Sequence, residues 1–167
     1  MLLCDNTNKL HEFRISKYDS KYRINEDFLK EDWTSISDVG KIFNGEELTY
    51  SEYEQTENRY LKLIEEICSV LKLNQIMITD IEDCWGVCKY HNSEIVTSVE
   101  QIIDIVKDCL REKYWCKLSA ENFYIHFGYD YYLYVGSSLD IQFMNQLALN
   151  IGLFVETKKS PYNMVTD

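Results

Sequence analysis

Residues 123–135, Phe-Tyr-Ile-His-Phe-Gly-Tyr-Asp-Tyr-Tyr-Leu-Tyr-Val, decide how this chain is read. They predict two β-strands, Phe123 to Phe127 and Tyr131 to Val135, joined by a turn at Gly128-Tyr129-Asp130. Successive side chains of a strand point to opposite faces, so Phe123, Ile125 and Phe127 share one face with Leu133 and Val135. The other face carries Tyr124, His126, Tyr132 and Tyr134. The first face is apolar enough for a core. The second is a sheet of amphipathic rings with polar tips, covered either by the rest of the chain or by a partner.

Downstream of the hairpin, Gly136-Ser137-Ser138 leads into a helix, with Ser137 as the expected cap and Asp140 at the positive end of its dipole. Met144, Leu147, Ala148 and Ile151 line its inner face, and Gly152 is placed to end it in the left-handed conformation. Leu153 to Thr157 reads as a final strand. Upstream, Ser98-Val99-Glu100-Gln101 is a capping-box pattern. The helix it starts buries Ile102, Ile103, Val106, Cys109 and Leu110 and runs to about Lys113. Cys116 to Leu118 adds a short strand or extends the first hairpin strand. Thr49-Tyr50-Ser51-Glu52 is a second capping box, opening a helix from Tyr50 to Leu73 with Tyr53, Tyr60, Ile64, Ile67 and Leu71 at helical spacing. Gln75 to Thr79 is a short strand. Leu10 to Ser16 alternates as a strand does, whereas Lys17 to Ile42 scatters its aromatic residues without a period, as segments that wrap a core do.

From Gln75 onward the order is strand, helix, strand, strand, helix, strand. That order predicts an α+β protein with a ferredoxin-like split β-α-β sheet over residues 75–157, two helices covering one face of four antiparallel strands. The chain reads as a single domain, 1–167, with an N-terminal elaboration and helix (1–73) and a ferredoxin-like core (74–167). The N-terminal helix then lies either over the tyrosine face or end-on, leaving the tyrosines free.

Composition narrows the function. Hydrophobic residues make up 46% and aromatic residues 14% of the 167, enough for a real core and too much for a disordered chain. Twenty-eight Asp and Glu face 17 Lys and Arg, a formal charge of −11. Such a body repels phosphate backbones and anionic membranes, so nucleic acid is disfavoured and a partner with a basic surface is favoured. The tyrosine face resembles in outline the stacking platform of RNA-recognition modules. It lacks both their signature motifs and nearby cations, since Lys113, Lys117 and Lys158-Lys159 are the nearest. The first residues, Met-Leu-Leu-Cys-Asp-Asn, show no secretory signal, and no window reaches the roughly 18 apolar residues of a membrane span. A cytoplasmic location is therefore expected, with Cys4, Cys68, Cys84, Cys88, Cys109 and Cys116 as reduced thiols.

Chemistry-bearing motifs are scarce. Cys84-x3-Cys88-x2-His91 has metal-like residues, but zinc requires a fourth ligand, for which only Asp83 offers itself, and no second Cys/His pair follows. Neither metal nor cofactor is expected. Phosphate-binding glycine loops, G-x-S-x-G elbows and H-E-x-x-H are absent, so no enzyme is predicted.

Three stretches carry a resemblance: Phe13-Arg14-Ile15-Ser16-Lys17-Tyr18-Asp19-Ser20-Lys21-Tyr22-Arg23, Asp32-Trp33-Thr34-Ser35-Ile36-Ser37-Asp38-Val39-Gly40-Lys41, and Leu153-Phe154-Val155-Glu156 with Ser160-Pro161-Tyr162. Together they resemble a family of small uncharacterised acidic proteins from Firmicutes, similar in kind to immunity proteins of bacterial toxin systems. The resemblance implies a non-catalytic binder and supplies no active site. An acidic inhibitor gains steered association with a basic toxin, and tyrosines supply rigid anchors. The expected partner-binding residues are Tyr124, His126, Tyr129, Asp130, Tyr132, Tyr134 and Asp140. The competing reading is an enzyme or small-ligand binder with a pocket between the sheet and the N-terminal segment; a homodimer burying the patch is a third.

Overall fold

Apolar alternation along the strands decides which side of the sheet meets the helices. In the computed structural model, which describes residues 9–163, the elements in chain order are β1 (His11–Ser16), β2 (Arg23–Ile24), β3 (Asp27–Phe28), β4 (Ile42–Phe43), β5 (Glu46–Glu47), α1 (Tyr50–Leu71), β6 (Ile76–Glu82), β7 (Ile95–Val96), α2 (Val99–Leu110), β8 (Trp115–Ala120), β9 (Phe123–Phe127), β10 (Leu133–Ser137), α3 (Ile141–Ile151) and β11 (Phe154–Thr157). Cys4 and the N-terminal leader reading lie outside the described residues. The class is mixed α+β, with a seven-stranded antiparallel sheet in the order β11-β1-β10-β9-β8-β6-β7. Two small ribbons, β2-β3 and β4-β5, lie apart from it.

One register row crosses five strands as Phe13, Val135, Ile125, Leu118 and Ile78, all fully or almost fully buried. These residues join the core contributed by α1, α2 and α3. At about 25 cal/mol per Å² of apolar surface, each such side chain contributes roughly 1.5–3 kcal/mol, which makes this row the main adhesive between sheet and helices. The opposite parity places Tyr124, His126 and Tyr134 on the other face, as the alternation predicts.

Capping chemistry places the helices. Thr49 and Glu52 form a reciprocal capping box at the start of α1, and Ser98 accepts from the Gln101 amide at the start of α2. At α3 the cap is Asp140, not the expected Ser137; the buried Ser137 hydroxyl instead accepts from Leu139 N–H. Gly152, at φ 92°, closes α3 in the left-handed region as predicted.

The strand order departs from the ferredoxin-like split β-α-β arrangement expected over residues 75–157. That arrangement needs β6 beside β11 and β10, but β6 pairs with β8 and β7, and β11 pairs with β1. The cause is local. Glu121 and Asn122 turn β8 directly back into β9, making β8 a full hairpin partner instead of an appendage. β1, from the N-terminal segment, fills the place between β10 and β11. Helix α1 takes neither of its two expected positions, packing instead with α2 and α3.

Candidate functional site

Glu156, Arg14, Tyr134, His126, Lys117 and Thr79 form one register row across the polar face of the sheet. The chain itself closes most of this face. At one end the N-terminal segment folds over Tyr132: the Arg23 guanidinium donates to its hydroxyl at 3.0 Å, Arg14 lies 4.5 Å over its ring and the Tyr18 ring is 5.5 Å away. Glu156 holds both guanidiniums, at 2.7 Å from Arg14 and 3.4 Å from Arg23. Glu26 reaches Arg14 and Lys158 from the solvent side.

At the other end the C-terminal segment Ser160–Asn163 lies across the sheet. Ser160 Oγ is 2.7 Å from His126 Nδ1, and the Tyr162 ring meets those of Tyr134 at 6.1 Å and Trp115 at 5.3 Å. Asn163 donates to the Tyr124 hydroxyl, which donates in turn to Glu12 at 2.7 Å. Tyr124 stacks on His126 at 4.5 Å and lies flat over Gly136, where a Cβ would come within 2.0 Å of the ring. Burial, assisted by the charge of Lys117, pushes the His126 imidazole down to about 4, so it is neutral near pH 7.

Of the expected partner-binding residues, the structure groups Tyr124, His126, Tyr132 and Tyr134 as internal contacts. His126 and Tyr134 are buried, while Tyr124 and Tyr132 are half-buried. Tyr129 and Asp130, at the hairpin tip, are exposed. Asp140 stands apart from all of them, capping a helix on the opposite side of the sheet.

Sequence reasoning missed two arrangements. Lys17, the first residue after β1, is buried between the rings of Trp33 (4.0 Å) and Tyr18 (4.2 Å), with Asp32 at 2.8 Å. Burial lowers its amine to about 8 despite that carboxylate. The second is a cavity of about 410 Å³ where the loop after β6, the start of β8, the β9–β10 turn and the C-terminal segment meet. Trp85 and Tyr129 stand at its edge, 77% and 84% exposed, and Trp115 and Tyr162 form its wall. The Trp115 indole is fixed by donating to the Phe127 carbonyl at 2.7 Å. The Trp85 loop is organised by Asp83, whose carboxylate accepts from the Val87 and Cys88 amides and is thereby held below its ordinary range. A second recess adjoins the cavity, sharing Glu82, Trp115 and Tyr162 with it. No residue of the N-terminal segment lines this cavity, so it is not the pocket expected between that segment and the sheet.

Asp83, the one candidate fourth ligand beside Cys84, Cys88 and His91, is thus turned onto backbone amides. Among the described residues no three His, Cys, Asp or Glu converge to hold a metal ion. Cys84 is exposed, and the Cys109 and Cys116 sulfurs lie 3.7 Å apart in the core as free thiols. Among the same residues no helix is long and apolar enough to cross a membrane. No protein-family model, curated protein or solved structure matches the chain.

Proposed function

We propose that the protein is a non-enzymatic binding domain for a basic protein, of the kind an immunity-type inhibitor offers to a toxin. The observation that carries the reading is the pairing of the two most exposed aromatic rings, Tyr129 and Trp85, at the edge of one cavity on a body of formal charge −11. Exposed aromatic residues beside a concavity serve as anchors, and surrounding acids speed the encounter. The contact surface lies at the hairpin tip and the Trp85 loop, not on the tyrosine face of the sheet, because that face is occupied by the chain's own ends. The reading goes with a cytoplasmic location, where free thiols persist, and needs no homodimer.

The test immobilises the wild-type protein and a Trp85→Ala/Tyr129→Ala variant and passes lysate of the source cells over both, at about 50 mM and about 500 mM salt. A basic protein retained by the wild type at low salt, released at high salt and not retained by the variant supports the reading. Equal retention by the two baits, or no salt-sensitive partner, sinks it.

A further inference from the structure

We infer that the cavity beneath Trp85 and Tyr129 is a receptor for an organic cation, and that its occupant is an arginine side chain displayed by a partner protein. Trp115 and Tyr162 in its wall and Trp85 and Tyr129 at its edge are rings whose faces carry the negative part of the aromatic quadrupole. Two carboxylates, Glu82 and Glu112, lie on the same lining, and neither is in an ion pair among the described residues. The one cation on the lining, Lys113, is neutralised by Asp108 at 2.7 Å. In the adjoining recess Lys117 and Asp80 neutralise each other at 2.9 Å. The uncompensated charge of the site is therefore negative.

Aromatic rings and two free carboxylates together fit a planar cation with several N–H donors, which is the guanidinium. A volume of about 410 Å³ accommodates such a side chain with room for the backbone that carries it.

The cation chemistry stands on the cavity alone, while its protein source rests on the binding reading above. Two of the three tryptophans line the cavity and the third, Trp33, is buried elsewhere, so intrinsic fluorescence reports the site directly. The experiment titrates the whole protein with N-acetyl-arginine amide, with N-acetyl-norleucine amide as the uncharged control and with agmatine as a free cation. Saturable binding of the arginine amide but not of the norleucine amide is expected. Glu82→Gln and Glu112→Gln should each weaken it by roughly fivefold, and Trp85→Ala by roughly 3- to 30-fold. Because Trp85 is exposed, that variant should keep its far-ultraviolet circular dichroism and melting temperature.

Equal binding of the norleucine amide, or unchanged affinity in both glutamine variants, overturns the inference. If the arginine amide fails while the immobilised protein still retains a basic partner, the cavity is not the receptor although the binding reading survives. Agmatine binding at least tenfold tighter than the arginine amide, with no partner retained, overturns the protein source and leaves a small free amine as the occupant.

Discussion

Ser160 Oγ and His126 Nδ1 lie 2.7 Å apart in a buried contact that spans 34 positions of sequence and fastens the C-terminal segment to the centre of the sheet. The same hydroxyl accepts from the Tyr162 amide, so one oxygen holds both the sheet and the turn that presents Tyr162. Removing it in Ser160→Ala should destabilise the protein by about 1 kcal/mol, the usual net value of a buried neutral hydrogen bond. Urea unfolding followed by circular dichroism measures this. A variant as stable as the parent would show that the segment is held by ring packing alone.

His126 also sets an acid limit. Its imidazole is pushed down to about 4 in the folded protein from an ordinary 6.5, so between those values the unfolded chain binds the extra proton. Stability should therefore be fully present above about pH 6.5 and fall as the pH drops toward 4. His126→Gln should flatten this part of the profile, and thermal melts at half-unit pH steps would reveal it. An unchanged slope in the variant would assign the acid sensitivity to other groups.

The carboxylate of Glu57 is fully buried and accepts two bonds from Arg111, each at 2.7 Å, and a third from the Tyr53 hydroxyl at 2.9 Å. This pins α1 to the end of α2. Arg111→Ala leaves a buried carboxylate without its counter-charge and should cost about 3–5 kcal/mol. Replacing both partners, in Glu57→Met/Arg111→Met, should be far milder than the single change. A double variant worse than Arg111→Ala would refute the account.

Gly136 has no side chain because Tyr124 occupies that space. A Cβ there would meet Cε1 of the ring at 2.0 Å, so Gly136→Ala should cost about 1–3 kcal/mol through overpacking. Adding Tyr124→Ala should recover part of that loss, giving a strongly non-additive cycle. Simple addition of the two single effects would mean that the ring moves aside at no cost.

Glu156 serves two guanidiniums whose side chains are only 5–6% exposed. In Glu156→Gln they would face each other without a shared anion, and a loss of about 2–4 kcal/mol is expected. Glu26→Gln, at a carboxylate 74% exposed, should leave the urea midpoint near that of the parent. Equal effects from the two substitutions would contradict this ranking.

Much of the local structure was legible because it follows from short-range rules. The alternation of Phe123–Phe127 assigned both faces of β9 correctly, and Thr49, Ser98 and Gly152 marked helix ends where they occur. Pairing was legible for the β9–β10 hairpin, whose strands are joined by a short turn, and not beyond it, because periodicity says which face a residue takes and nothing about its neighbour strand. The Glu121-Asn122 turn carries no glycine or proline to announce a hairpin, which hid the full length of β8. The cover of the tyrosine face was hidden for a related reason: Arg14, Arg23 and Ser160 reach it from both ends of the chain. The cavity draws its lining from four separated segments, residues 82–85, 109–115, 127–129 and Tyr162, so no single window contains the whole of it. One signal was available: Trp85 is a large ring between Cys84 and Gly86 with no apolar periodicity around it.

The position of β1 between β10 and β11 has a consequence for how the protein comes off the ribosome. Ile15 pairs with Leu133 on one side and Val155 on the other, so this early strand finds neither neighbour until nearly all of the described chain has been made. The hairpins of β8, β9 and β10 can assemble beforehand from adjacent residues. During that interval Phe13 and Ile15 belong to an unpaired strand whose apolar side chains have no cover from the sheet. Among the described residues, the last two strands to be synthesised therefore enclose the first.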